Sequence, residues 1–238
     1  MLLVTGILIL RRHKLLLRAS AYNLEIEQTK SCFKRCTSME IYLVRHTEPD
    51  VPRGVCYGQA DIGVTESFLH EAAIIRQHIP QEIKAVYSSP LQRCKMLAAH
   101  LFPAKEILFH DHLMEINCGD WELKKWDDIK KDQLDMWMGD FINVRIPGGE
   151  SYTDLYDRCS TVFDQCVTSD LPAVIVAHGG VIRSILAHVN KIDLETSFKT
   201  YSLHYGCVIK LTPVEEGWQH EMLSNIPHDK ETHKPSGY

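Results

Sequence analysis

The run Ile41-Tyr-Leu-Val44 ends abruptly in Arg45-His46-Thr47-Glu48, and this boundary constrains the fold more than any other stretch. A short, continuous apolar run rich in β-branched and aromatic residues reads as a strand buried on both faces, as in a parallel sheet covered by helices. Its polar end then lies at the sheet edge where open α/β folds bind ligands. An arginine beside a histidine on so rigid a support suits an anionic electrophile. The guanidinium holds two oxygens in a planar fork while the imidazole attacks.

Three further segments carry the same logic. Ala85-Val-Tyr-Ser88-Ser89-Pro90-Leu91-Gln92-Arg93 reads as a second strand running into a helix, with Ser89 as its cap and Pro90 in its first turn. Arg93 then sits near the positive end of the helix dipole, where an anion is favoured. Leu91, Cys94, Leu97, Ala98 and Leu101 keep helical spacing and predict the face turned to the sheet. Ala173-Val-Ile-Val-Ala177 reads as a third strand, followed by His178-Gly179-Gly180. The glycines let backbone approach a ligand closely before the next helix. Finally, Leu113-Met-Glu115-Ile-Asn-Cys-Gly119-Asp-Trp121-Glu122 sets Glu115 in an irregular, partly apolar loop. Desolvation and nearby charge would hold a carboxyl protonated there.

The full pattern predicts strands near 40–45, 84–88, 106–109, 173–177, 205–212 and 218–223, and helices near 66–79, 91–102, 127–137, 151–167 and 180–189. Such alternation implies a three-layer α/β/α sandwich with a mostly parallel central sheet. Tyr152, Leu155, Tyr156, Cys159, Val162, Phe163 and Cys166 form the clearest amphipathic stripe, read as core packing.

The 238 residues contain no Pro/Gly/Ser-rich linker, so one catalytic domain is expected over 39–225. Residues 1–38 are expected to be a disordered extension outside it and 226–238 a polar, disordered tail. The apolar run from Leu2 to Leu10 is too short to span a bilayer, and Arg11 and Arg12 follow it, opposite to the order in a signal peptide. A net charge of −5 argues against nucleic acid as partner. Cys32 and Cys36 form a CxxxC that no second pair completes, and the eight cysteines show no metal-ligand spacing. Reduced thiols, a cytoplasmic setting and no association with membranes are the expectation.

Together these segments resemble the histidine phosphatase superfamily, also known from cofactor-dependent phosphoglycerate mutase. Its Arg-His-Gly/Thr-Glu opening appears as Arg45-His46-Thr47-Glu48, its Ser-Ser-x-Leu-x-Arg as Ser88 to Arg93, its late His-Gly as His178-Gly179, and its Leu-x-Glu…Gly-x-Trp-Glu as Leu113, Glu115, Gly119, Trp121 and Glu122. The order and spacing match from about Met39 to Ile209. Tyr57-Gly58-Gln59-Ala60-Asp61, Gly119-Asp-Trp-Glu122 and Pro147-Gly-Gly-Glu150-Ser151 are most similar to the α-ribazole phosphatases of cobalamin nucleotide-loop assembly. Two departures bear on the substrate mouth: Leu123 where many members have glycine, and Cys118 where many have an aromatic residue.

The resemblance implies a small-molecule phosphomonoester as substrate, with no metal and no cofactor. His46 would attack phosphorus, Arg45, Arg93 and His178 would surround the nonbridging oxygens, and Glu115 would protonate the departing alkoxide. Thr47, Tyr57, Gln59 and Gly179 would complete the binding set. Three other readings remain: a mutase that returns the phosphoryl group, a non-catalytic phosphoryl-binding protein, and a broad-specificity sugar or nucleotide phosphatase. The segment Asn117-Cys-Gly119-Asp-Trp121, where mutases carry Tyr-Gly, argues against the first. The presence of both His46 and Glu115 argues against the second.

Overall fold

The computed structural model describes residues 39–169 and 171–227. Its six strands are β1 (Ile41–Arg45), β2 (Ala85–Ser88), β3 (Leu108–Phe109), β4 (Ala173–Ala177), β5 (Val208–Val214) and β6 (Gly217–Ser224). They form one sheet in the order β3-β2-β4-β1-β5-β6. The first four run parallel; β5 is antiparallel to β1 and to β6. The all-apolar β4, Ala-Val-Ile-Val-Ala, is buried throughout and fills the centre, as a strand covered on both faces must.

Helices cover both faces. On one lie α1 (Phe68–Gln77) and α2 (Gln92–Leu101), whose Ala72, Ile75, Cys94 and Leu97 pack with Val44, Val174 and Val176. On the other lie α4 (Tyr152–Val167) and α5 (Gly179–Asn190), whose Leu155, Phe163, Val181 and Ile185 pack with Leu43 and Ile175. Alternate strand residues thus feed opposite layers, the period-two rule of a strand. This is the three-layer α/β/α sandwich expected. Two shorter helices, α3 (Lys131–Gly139) and α6 (Leu194–Thr200), flank the second layer.

Register decides where the polar strand ends emerge. Arg45 pairs with Ala177 across β1 and β4, and Ser88 pairs with Val176 across β2 and β4. Residues 46, 89 and 178 therefore leave the sheet side by side.

Several local expectations are corrected. The helix foreseen at 127–137 is a 3₁₀ turn over Trp126–Asp128, an extended step at Ile129 and Lys130, and then α3. Threefold spacing lets Trp126 and Ile129 both enter the core. Helix α6 was not foreseen; it spans seven residues, too few for an apolar stripe, and starts at Asp193, whose carboxylate accepts the Thr196 N–H at 2.7 Å. Ser89 does not cap α2. Leu91 occupies the cap position, and the first helical N–H, of Gln92, donates to the Asp61 carboxylate at 2.6 Å. The strand expected from 205 starts at Val208, because Gly206 turns the chain with φ of +68°. The strand expected over 106–109 keeps only Leu108 and Phe109. The 1–38 extension and residues 228–238 of the tail lie outside the described residues.

Candidate active site

His46 is anchored before its side chain does anything. Its N–H donates to the Ala177 carbonyl at 3.1 Å and its carbonyl accepts from the Gly206 N–H at 3.0 Å. The ring is buried, and Nδ1 lies 2.7 Å from the Thr47 carbonyl oxygen. A carbonyl can only accept, so Nδ1 carries the hydrogen and Nε2 keeps its lone pair. The His178 ring stands edge-on, with its centroid 5.1 Å away. It is fully buried, with Nε2 2.8 Å from the Ser89 hydroxyl. That burial, reinforced by the charges of Arg93 and Arg45, holds its pKa well below the ordinary histidine value, so the ring is neutral.

The two arginines are held differently. Arg45 donates from Nη1 to the Leu203 carbonyl, and its guanidinium lies 4.1 Å from the centre of the Tyr205 ring. Gly179 backs it: a Cβ there would sit 3.4 Å from the Arg45 Cζ. Arg93 is fully buried, donating from Nη1 to the Ala60 carbonyl at 2.9 Å and from Nη2 to the Gly58 carbonyl at 2.6 Å. Its Nε and the Thr47 hydroxyl are buried polar groups with no hydrogen-bond partner in the protein. Such orphans typically cost about 1–3 kcal/mol each. The turn that grips Arg93 is itself gripped by Glu122, whose carboxylate accepts the N–H groups of Gly58 (3.0 Å), Gln59 (2.7 Å), Ala60 (3.1 Å) and Cys118 (3.0 Å). Glu122 thus shapes the site without entering it.

Glu115 sits at the N terminus of α5. One carboxylate oxygen accepts the Gly180 N–H at 3.0 Å, and the other accepts the Ile116 N–H at 3.0 Å. Glycine at 180 leaves the carboxylate this seat, since a Cβ would fall 2.3 Å from the Glu115 Oε1 and push it aside. The Glu115 carbonyl is held in turn by Gln59 Nε2 at 3.0 Å and Arg158 Nη2 at 2.9 Å.

These groups open onto a cavity of about 390 Å³. Of the residues singled out from sequence, Arg45, His46, Tyr57 and Glu115 line it. His178 and Arg93 are buried beside them, the latter 5.5 Å from the Tyr57 ring centre. Gln59 is turned to the Glu115 backbone. The rest of the wall is apolar, with Trp126, Trp137, Phe141, Tyr152 and Phe198 as its large members. Phe141, Tyr152 and Phe198 pack edge to face with ring centres 4.8 to 5.8 Å apart, and Trp126 stacks on Trp137 at 6.1 Å. None of these five was foreseen as a site residue. Tyr152 was read as core, and the others share no motif. Tyr205 was also missed; its ring contacts Arg45 and His46, and its hydroxyl meets that of Tyr57 at 2.6 Å.

Known proteins share this architecture. Phosphoserine phosphatase 1 of Hydrogenobacter thermophilus is 26% identical over 178 residues, covering 71% of this chain and 82% of its own. Phosphoglycerate mutase-like protein 4 of Arabidopsis thaliana is 29% identical over 214 residues, covering 81% and 88%. The crystal structure of the α-ribazole phosphatase from Shigella flexneri superposes with a TM-score of 0.70 at 20% identity, covering 78% of this chain and 96% of that one. The profile of the histidine phosphatase superfamily (branch 1) matches residues 41–226. The chain belongs to that superfamily and is a phosphomonoester hydrolase.

Proposed function

We propose that the chain hydrolyses the phosphomonoester of an alcohol bearing a flat, largely apolar ring, with α-ribazole 5′-phosphate as its substrate. The observation that carries this is the composition of the cavity wall. Phosphoserine and phosphoglycerates present a carboxylate beside the phosphate and call for a second cation. Arg45 in the lining and Arg93 buried beside it are both spent on the phosphate; among the described residues lining the cavity there is no further lysine or arginine, and the mouth is walled by aromatic rings. Such a wall stacks on a fused aromatic base and gains little from a charged amino acid.

The chemistry follows from the floor. Hydrolysis of phosphate monoesters is among the slowest of uncatalysed reactions, so charge neutralisation and alignment must supply most of the rate. The guanidiniums of Arg45 and Arg93, with Thr47 Oγ1 and His178, take the nonbridging oxygens. The lone pair of His46 Nε2 attacks phosphorus in line, the P–O bond to the alcohol breaks, and Glu115 delivers a proton to the departing oxygen. Glu115 then takes a proton from water, which attacks the phosphohistidine and releases inorganic phosphate. Cys94, Cys159 and Cys166 play no part, since burial pushes each thiol up to about 12. Buried thiols at all six described cysteines support the cytoplasmic setting proposed for the enzyme. Among the described residues, no helix is long and apolar enough to cross a membrane.

A phosphate-release screen tests the substrate. We expect α-ribazole 5′-phosphate to lead sugar phosphates, nucleotides, phosphoserine and phosphoglycerates in kcat/KM, with phosphate released without a bisphosphate primer. A carboxylated or sugar phosphate at the head of the ranking would refute the aromatic reading.

A further inference from the structure

Glu115 lies on a loop that no sheet ladder or α-helix holds, between the 3₁₀ turns Asp111–Leu113 and Gly119–Trp121. Beside the Gln59 amide that also holds the Glu115 carbonyl, one largely buried side chain supplies most of the missing order. Arg158 of α4 is only 12% exposed, and all five of its N–H groups are engaged. Nε and Nη2 meet the two oxygens of Glu150 at 2.9 Å each, a planar two-point ion pair. Nη1 donates to the carbonyls of His112 and Met114 at 2.7 Å each, and the second hydrogen of Nη2 goes to the Glu115 carbonyl at 2.9 Å. Glu150 closes the frame from its own side. It accepts the Asn117 N–H at 2.9 Å, and its own N–H donates to the Asn117 carbonyl at 2.9 Å. Three carbonyls of one irregular loop thus converge on one guanidinium, while the Glu115 side chain is pinned separately at the start of α5.

We propose that Arg158 is a positioning residue for proton delivery: it fixes the main chain of the acid loop so that the Glu115 carboxyl meets the leaving-group oxygen. The inference rests on the reading of Glu115 as the proton donor. Lysine cannot substitute, because an ammonium offers three hydrogens in a tetrahedral array where five in one plane are used. Displacement of a reacting group by about 1 Å costs up to ~10²-fold in rate. That loss is felt only where the leaving group needs the proton, which separates positioning from general support of the fold.

The test compares Arg158→Lys and Glu115→Gln with the unaltered chain on glycerol 2-phosphate, whose alkoxide must be protonated, and on p-nitrophenyl phosphate, whose leaving group hardly needs it. For Arg158→Lys we expect kcat to fall about 10- to 100-fold on the alkyl ester, with a several-fold smaller loss on the aryl ester and KM little moved. Equal losses on both esters would make Arg158 a structural residue and overturn the proposal. Glu115→Gln tells the two readings apart. If it loses the alkyl ester selectively and Arg158→Lys does not, the Arg158 inference alone fails; if Glu115→Gln loses both equally, the acid assignment itself fails. Should Arg158→Lys not fold, Glu150→Gln takes its place, removing the charge that orients the guanidinium at nearly constant volume. A selective loss on the alkyl ester then supports the proposal, and an unselective change or none overturns it.

Discussion

The His46 ring spends its one N–H on the Thr47 carbonyl, which leaves a single nitrogen able to attack; a strand end and a neighbouring peptide suffice to choose the nucleophilic atom. His178 shows the same economy with the opposite sign. Packed neutral among cations, it binds a proton less readily folded than unfolded. Its contribution to stability is therefore complete above the unfolded histidine value of about 6.5 and is lost as pH falls below it. Urea midpoints measured from pH 7 to pH 5 should drop more steeply for the natural chain than for His178→Asn. Parallel curves would show that His178 is not held neutral. Leu123 is a different case, for it adopts φ of +62° while 60% exposed. A side chain in the left-handed region costs roughly 1–2 kcal/mol, partly offset by the larger backbone entropy glycine loses on folding. Leu123→Gly is thus expected to raise the thermal midpoint by a few degrees. A lower midpoint would mean the leucine repays its strain through packing. The sequence already marked this position as one where relatives carry glycine, but only the backbone supplies the reason.

At the scale of elements, strand ends and one helix start build the site. The buried strands were legible because Ile41–Val44 and Ala173–Ala177 are unbroken apolar runs, and their abrupt polar ends announced Arg45-His46 and His178-Gly179. Helix α6 and the split around Ile129 were not legible, since seven residues hold no full stripe and a 3₁₀ turn carries no 3.6-residue period. The start of α5 carries the sharpest requirement, because Gly180 lends its N–H to Glu115 and leaves no room for a methyl group. Gly180→Ala, although it favours helix by propensity, should displace the carboxylate and lower kcat on alkyl phosphates by about 10- to 100-fold. Turnover within twofold of the natural chain would show that Glu115 needs no such seat.

For the molecule as a whole, the floor and the mouth of the cavity were unequally written in the sequence. Arg45, His46, Arg93 and His178 belong to short segments whose local chemistry is unusual, so each could be picked out alone and then joined by order. The aromatic wall draws Trp126 from a 3₁₀ turn, Trp137 from α3, Phe141 from a turn, Tyr152 from the start of α4 and Phe198 from α6. None is unusual in its own segment, and only the folded chain brings them together. Arg158 was hidden for a related reason, and Glu122, although it stands in a quoted motif, showed no role there: both act on backbone groups, which no sequence pattern displays. The account nonetheless turns on one atom, the Nε2 of His46, as the site of a covalent intermediate. The direct measurement is to quench the enzyme with alkali during turnover of ³²P-labelled p-nitrophenyl phosphate and to locate the label. We predict label on the peptide carrying His46, none on a folded His46→Ala chain, and a turnover loss of about 10³-fold or more in that variant. Label that survives in His46→Ala, or turnover within tenfold of the natural chain, would contradict the mechanism.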